Sequence, residues 1–127
     1  MSHFSQVKTQ IRQLEPLQQA LTDLGIEWKG NDSLRGYEGA TDRAEVVIPQ
    51  ANGYDIGFKW NGQEYALVAD MQFWQQPWTV ESFLQKVTQR YAVQTVKTEG
   101  SKQGFTIAEQ NTLENGAVRL VLQRWHG

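Results

Sequence analysis

The apolar positions of this chain follow two periods, and where one gives way to the other an element ends. Leu14, Leu17, Leu21 and Leu24 recur at helical spacing, which predicts a helix over 14–24 with one apolar stripe. Pro16 then lies in the first turn, where its missing N–H is harmless, and Gly25 stands just past the end. Deeper in a helix a proline costs about 3 kcal/mol, so residues 3–12 are read as a strand, with Val7, Thr9 and Ile11 on one face. Ile26-Glu27-Trp28 reads as a second short strand. Residues 30–43 carry Gly30, Gly36 and Gly39 without an apolar period, and read as a loop. Ala44 to Ile48 is again a strand, stopped by Pro49.

Asn61-Gly62 favours a type I′ turn between strands at 53–60 and 63–70. Two-residue closure sets Phe58 opposite Tyr65, Ile56 opposite Leu67 and Tyr54 opposite Ala69, with Lys59 facing Glu64 on the other side. Thr79 is a candidate N-cap for a helix over 79–91, with Val80, Phe83, Leu84, Val87 and Tyr91 as its apolar face. Residues 92–103 are ambiguous: Ala92, Val93 and Val96 would continue the helix, and Gly100 opposes it. A second hairpin, 104–110 with 117–125, turns at Asn115-Gly116 and places Phe105, Ile107 and Leu113 on one face with Val118, Leu120 and Leu122.

Adjacent hairpins make a mostly antiparallel sheet, and the two or three helices suffice to cover one face. The expected fold class is α+β, a single two-layer domain over 1–127, compatible with a ferredoxin-like topological variant. The length of 127 residues suits one core and leaves no room for two.

Charge and composition remove several functions. Twelve Lys and Arg against fourteen Asp and Glu, spread without a basic run, argue against nucleic-acid binding, which needs cations to neutralise phosphates. The absence of cysteine excludes disulfides, thiolate catalysis and thiolate-held metals. The first residues lack the apolar core of a secretory signal, and no apolar stretch nears the roughly 20 residues that span a bilayer, so a cytosol-like compartment is expected.

Four blocks carry a resemblance: MSHFSQVKTQIR at the start, YDIGFKWNGQEYALVAD over 54–70, TVESFLQKVTQRYA over 79–92 and VRLVLQRW over 118–125. In this order they resemble the hypothetical chloroplast open reading frame thirty-five family of cyanobacteria and plastids, a domain of unknown function. The resemblance implies a cyanobacterial cytosolic or plastid stromal protein. It implies no reaction, cofactor or catalytic residue. For partners, the family's associations point weakly to a small ferredoxin or an AAA-type ATPase.

The residues offer little chemistry of their own. His3 and His126 are the only histidines, one near each terminus, and would form a catalytic dyad only if the termini met. No G-x-S-x-G, H-E-x-x-H or Walker lysine is present. Asp55 and Asp70 are diagonal neighbours in the derived register, about 7–8 Å apart at the backbone, near enough to share a divalent ion or to work as acid and base. In the plainer alternative, Asp70 caps a turn and Asp55 lies on solvated sheet. Arg35 and Arg43 in the 30–43 loop raise phosphate binding, but the glycines are too loosely spaced for a phosphate cradle.

The connection 71–78 holds Met71, Phe73, Trp74 and Trp78 where polar residues are expected. These four are the candidate protein-binding residues, with Trp74 as an exposed anchor. The competing expectation is a connection folded down to close the core, with Trp78 stapling the start of the helix. Three classes of function follow: a non-catalytic protein-binding or assembly factor, a small-ligand or metal-binding regulatory domain, and an enzyme that borrows its chemistry from a cofactor or partner. The scarcity of reactive groups favours the first.

Overall fold

A computed structural model describes residues 4–36, 42–114 and 117–124. The elements run β1 (Ser5–Val7), α1 (Leu14–Asp23), β2 (Lys29–Ser33), β3 (Arg43–Ile48), β4 (Ile56–Trp60), β5 (Tyr65–Ala69), a 3-10 turn (Met71–Phe73), α2 (Val80–Lys102), β6 (Phe105–Thr112) and β7 (Val118–Arg124). The first five strands form one sheet in the order β1-β5-β4-β3-β2, with every pairing antiparallel. This is the expected α+β class. It is a meander with β1 laid against β5, and not the ferredoxin-like order, which requires parallel neighbours. β6 and β7 form a separate two-stranded sheet.

One face of the large sheet carries the helices. Leu17 and Leu21 of α1 and Phe83 and Val87 of α2 close over Val46, Ile48, Ile56, Phe58, Leu67 and Ala69, all buried. Each of these side chains except that of Ala69 stabilises the fold by about 1.5–3 kcal/mol relative to exposure. The alternate residues Val47 and Val68 point to the other face, where they meet Leu34 and Ala44, with Phe4 and Tyr54 packed at the edge. The central strands are therefore covered on both sides.

Local chemistry explains the ends of α1. Gly25 takes a φ of 73°, its N–H reaches Thr22 O, and the Ile26 N–H reaches Leu21 O at 2.9 Å. That is a Schellman stop, and it turns Ile26 back onto the core. Residues 26–28 are thus not the strand their β-branched and aromatic composition suggested; Trp28 donates from Nε1 to Thr22 Oγ1 at 2.9 Å, and Ile26 and Trp28 pack on the main core. The strand lies further on, at 29–33, and all but its first residue falls in the segment read as a loop. It is an edge strand of mostly exposed polar residues, held by main-chain pairing to β3, so it has no apolar period to detect. The strand expected over 3–12 is formed only at 5–7. Beyond it Thr9 Oγ1 donates to Tyr65 O, and Ile11 enters the core.

The first hairpin is shifted by two. Phe58 pairs with Leu67, Lys59 with Ala66 and Trp60 with Tyr65, so residues 61–64 form the loop and the expected pairs Phe58–Tyr65 and Ile56–Leu67 are replaced. The Asn61 side chain is the cause: its Oδ1 accepts from both the Gln63 and Glu64 N–H groups at 2.9 Å, and its own N–H reaches Glu64 O. A shift of two residues keeps each side chain on its face, so the predicted core survived the wrong register. The Lys59–Glu64 pair did not; Lys59 Nζ meets Asp42, and Glu64 accepts from Asn61.

α2 resolves the ambiguity over 92–103 as helix. Thr79 Oγ1 accepts from the Ser82 N–H at 3.1 Å, as an N-cap does. Gly100 stays helical because Phe105 and Leu122 pack over it. Two glycine substitutions should act in opposite directions. A Cβ at Gly100 would lie 3.7 Å from Phe105 Cβ, an ordinary contact, so Gly100→Ala should raise stability by about 0.5–1 kcal/mol. At Gly57 it would lie 2.8 Å from Ala44 Cβ and 2.9 Å from Leu34 Cδ2, so Gly57→Ala should lower stability by about 1–3 kcal/mol. Urea unfolding of the two variants measures both.

α1 is tied to α2 through Asp23, whose Oδ2 accepts from Arg90 Nε at 3.0 Å and from Gln94, while Oδ1 accepts from Gln19. Partial burial alone would push the Asp23 carboxyl up, but the hydrogen bonds from Arg90, Gln94 and Gln19 outweigh it and hold the group below the usual carboxylate range. A depressed folded pKa adds stability above the unfolded value, and that stability is lost as pH falls through the folded one. Thermal melts between pH 7 and 3 should accordingly show a shallower acid decline for Asp23→Asn than for the native chain.

The second hairpin packs on the C-terminal half of α2, and its register again departs from expectation. Ile107 pairs with Leu122, but a bulge follows, so that Gln110 meets Leu120 and Thr112 meets Val118. Leu113 is therefore outside the strand and 48% exposed, not aligned with Val118. Its expected turn at Asn115-Gly116 lies outside the described residues.

Candidate functional site

Three of the polar residues singled out by sequence, Asp55, Asp70 and Arg35, lie at one end of the large sheet, where β4 begins and β5 ends. Asp55, immediately before β4, is fully buried and not on solvated sheet. Both its oxygens receive the Arg35 guanidinium, Oδ1 from Nη2 at 2.9 Å and Oδ2 from Nε at 3.1 Å, and Oδ2 also accepts the Arg35 backbone N–H. The Arg35 side chain is 55% exposed, so a surface cation reaches in to a buried anion. The Asp55 carboxylate raises the pKa of Arg35 still further, through hydrogen bonding first and charge second. A forked pair of this kind fixes the segment after β2 against the start of β4.

Asp70 closes β5 and caps the 3-10 turn, its Oδ1 accepting from the Gln72 N–H at 3.0 Å. Among the described residues no third carboxylate or histidine gathers with Asp55 and Asp70. Arg43 lies apart from Arg35, reaching Ser33 Oγ and Asn31 O across the β2–β3 edge. The structure thus divides the two arginines considered for phosphate between two separate jobs. Gly30 lies in β2, and Gly39 is outside the described residues, as are His3 and His126.

The connection from Met71 to Trp78 lies down on the core. The Trp74 ring meets Phe83 edge-on at 5.1 Å between centroids, and its Nε1 donates to Trp78 O at 2.8 Å. Trp78 also flanks Phe83, with Lys86 Nζ 5.6 Å from the centre of its ring. Phe73 stacks on Tyr54 at 3.9 Å. Met71, Trp74 and Trp78 are half-buried against the main cluster, which is the folded-down connection of the two alternatives, with part of the Trp74 surface still exposed.

One residue that organises this region escaped sequence reasoning. Gln50 is buried, donates from Nε2 to Tyr54 O and Phe73 O, and accepts at Oε1 from Gln75 N and Gln76 Nε2. Two donors and two acceptor bonds are all that a glutamine amide offers, so this residue pins the connection with full satisfaction. Nothing distinguished it among so many surface glutamines.

The larger omission is the seam between α2 and β7. A groove of about 180 Å³ there is lined by Ala92, Val93, Val96, Val118 and Leu120, with Gln89 at one end. A neighbouring depression of about 230 Å³ shares Gln89 and Val118 and adds Lys86 and Arg90. Val96 is 40% exposed and Leu122 38%. Unlike the dry main core, this apolar layer is only partly closed. The helical continuation through Val93 and Val96 was the available signal, but it was masked by Gly100.

The chain also has counterparts elsewhere. A family model described as "Protein of unknown function (DUF1257)" matches residues 20–121. A protein of Guillardia theta named "Uncharacterized protein ycf35" is 52% identical over 126 residues, 98% of each chain. Proteins of the same name from Pyropia yezoensis and Cyanophora paradoxa are each 42% identical, over 99% and 98% of both chains. No solved structure matches significantly. With identity of this order along almost its whole length, the chain belongs to the DUF1257 family, the family of the ycf35 proteins.

Proposed function

We propose that this protein works by contact, as a non-catalytic binding or assembly factor of a cyanobacterial cytosol or plastid stroma. The observation that carries the reading is the α2–β7 seam, where Val96 and Leu122 remain 40% and 38% exposed beside a fully closed main core. Apolar side chains grouped in this way lose favourable burial unless another surface covers them. The aromatic connection adds a second partly open apolar surface: Met71, Phe73, Trp74 and Trp78 are each half-buried. The compartment is supported by the relatives' names, which denote a hypothetical chloroplast reading frame. Among the described residues no helix is long and apolar enough to cross a membrane.

Affinity purification from the source cell tests this. The native chain should carry a protein partner at a stoichiometric level. Val96→Glu, a good helix former at an exposed site, should lose that partner while its Tm moves by about 2 °C or less. If the native chain brings down no stoichiometric partner, the reading fails.

A further inference from the structure

The seam has a second property besides exposed apolar surface. β7 pairs with β6 on one side, and among the described residues no strand pairs with its other edge. An open edge presents a row of backbone donors and acceptors, here beside the apolar groove. Charge is also unevenly placed. Residues 80–127, which include α2 and the hairpin, hold six Lys and Arg against four Glu, whereas residues 1–79 hold six against ten Asp and Glu. The hairpin and α2 are thus the cationic part of an acidic protein. Lys86 and Arg90 stand at one end of the groove. Arg90 is already paired with Asp23. Lys86 meets only the Trp78 ring among the contacts of the described residues, which leaves its charge available.

We infer that β7 accepts an extended, acidic segment of a partner protein as a third strand, with an apolar side chain seated between Val93, Val96 and Leu120 and a carboxylate directed to Lys86. The inference rests on the contact reading above and gives it a mode. Main-chain pairing along the edge would provide general affinity, since alternate residues of an added strand fall on the same face and only those facing α2 meet the groove. The carboxylate would set direction and exclude basic segments. A helix in the same groove could use the apolar contacts but not the open edge.

The test uses the full chain, isotopically labelled, and titrates it with a nine-residue peptide alternating valine with glutamate or threonine, followed by amide NMR to millimolar concentration. The expected result is shifts confined to Val118–Arg124 and to α2 around Val93, with Lys86→Glu weakening binding by about fivefold. Val96→Glu should weaken it too. N-methylation of the peptide's edge-facing amides should abolish binding, because it removes the main-chain donors. The inference is overturned if the peptide leaves β7 unshifted, if a lysine-for-glutamate version binds as well, or if N-methylation changes nothing. Concentration-dependent shifts of the same amides without peptide would assign the edge to a second copy and overturn it equally. A null titration beside a partner still lost on Val96→Glu would remove strand addition and leave the contact reading standing.

Discussion

Trp74→Ala is expected to destabilise the protein by about 3 kcal/mol, measured by urea or thermal unfolding. Removing an aromatic side chain from a packed site typically costs about 3–5 kcal/mol, and the partial exposure of Trp74 places it at the low end. Two contacts are lost together: the edge-on packing against Phe83 and the Nε1 bond to Trp78 O. Phe83 itself belongs to the buried centre, so the cavity would open beside the core and not at its margin. A variant with unchanged stability would mean that Trp74 adds nothing to the core. Its candidacy as a partner anchor would then rest on binding alone.

Asp55→Ala should lower stability by a similar amount, about 3 kcal/mol. The change removes a fully buried carboxylate together with the anchor of Arg35, and it leaves the Arg35 backbone N–H without its acceptor. Arg35, being largely exposed, can be resolvated; Asp55 cannot. Arg35→Ala should for that reason be the more damaging of the two, since it leaves a buried anion without its cation. Arg35→Lys should recover only part of the loss, because an ammonium cannot engage both oxygens with a fork. Unfolding curves for the three variants order them. If Arg35→Ala proves harmless, the pair is ornamental and the β2–β4 junction is held by other contacts.

Both residues show why the candidate site was only partly legible. Trp74 and Asp55 attracted notice by residue type, an aromatic in a connection and a carboxylate near another carboxylate. Their partners, Phe83 and Arg35, are 9 and 20 positions away, and nothing in the spacing announces either contact. The seam is harder still to read, because its openness depends on how closely β7 approaches α2. That closeness is set by Gly100, Phe105 and Leu122 packing together.

Features that depend on a residue and its immediate neighbours were readable in the chain itself. Pro16 and Gly25 bound α1, Thr79 opens α2, and the two-residue period assigned β4 and β5 their inner faces, because capping and pleating act over a few residues. The mostly antiparallel sheet and the α+β class followed from those elements, whereas the strand order did not. Tertiary structure alone decided the two-residue register shift at Asn61, the polar edge strand β2, the four bonds of Gln50 and the half-closed seam beside β7. Each is a choice among arrangements of nearly equal local energy, settled by which distant groups could be buried and hydrogen-bonded at once.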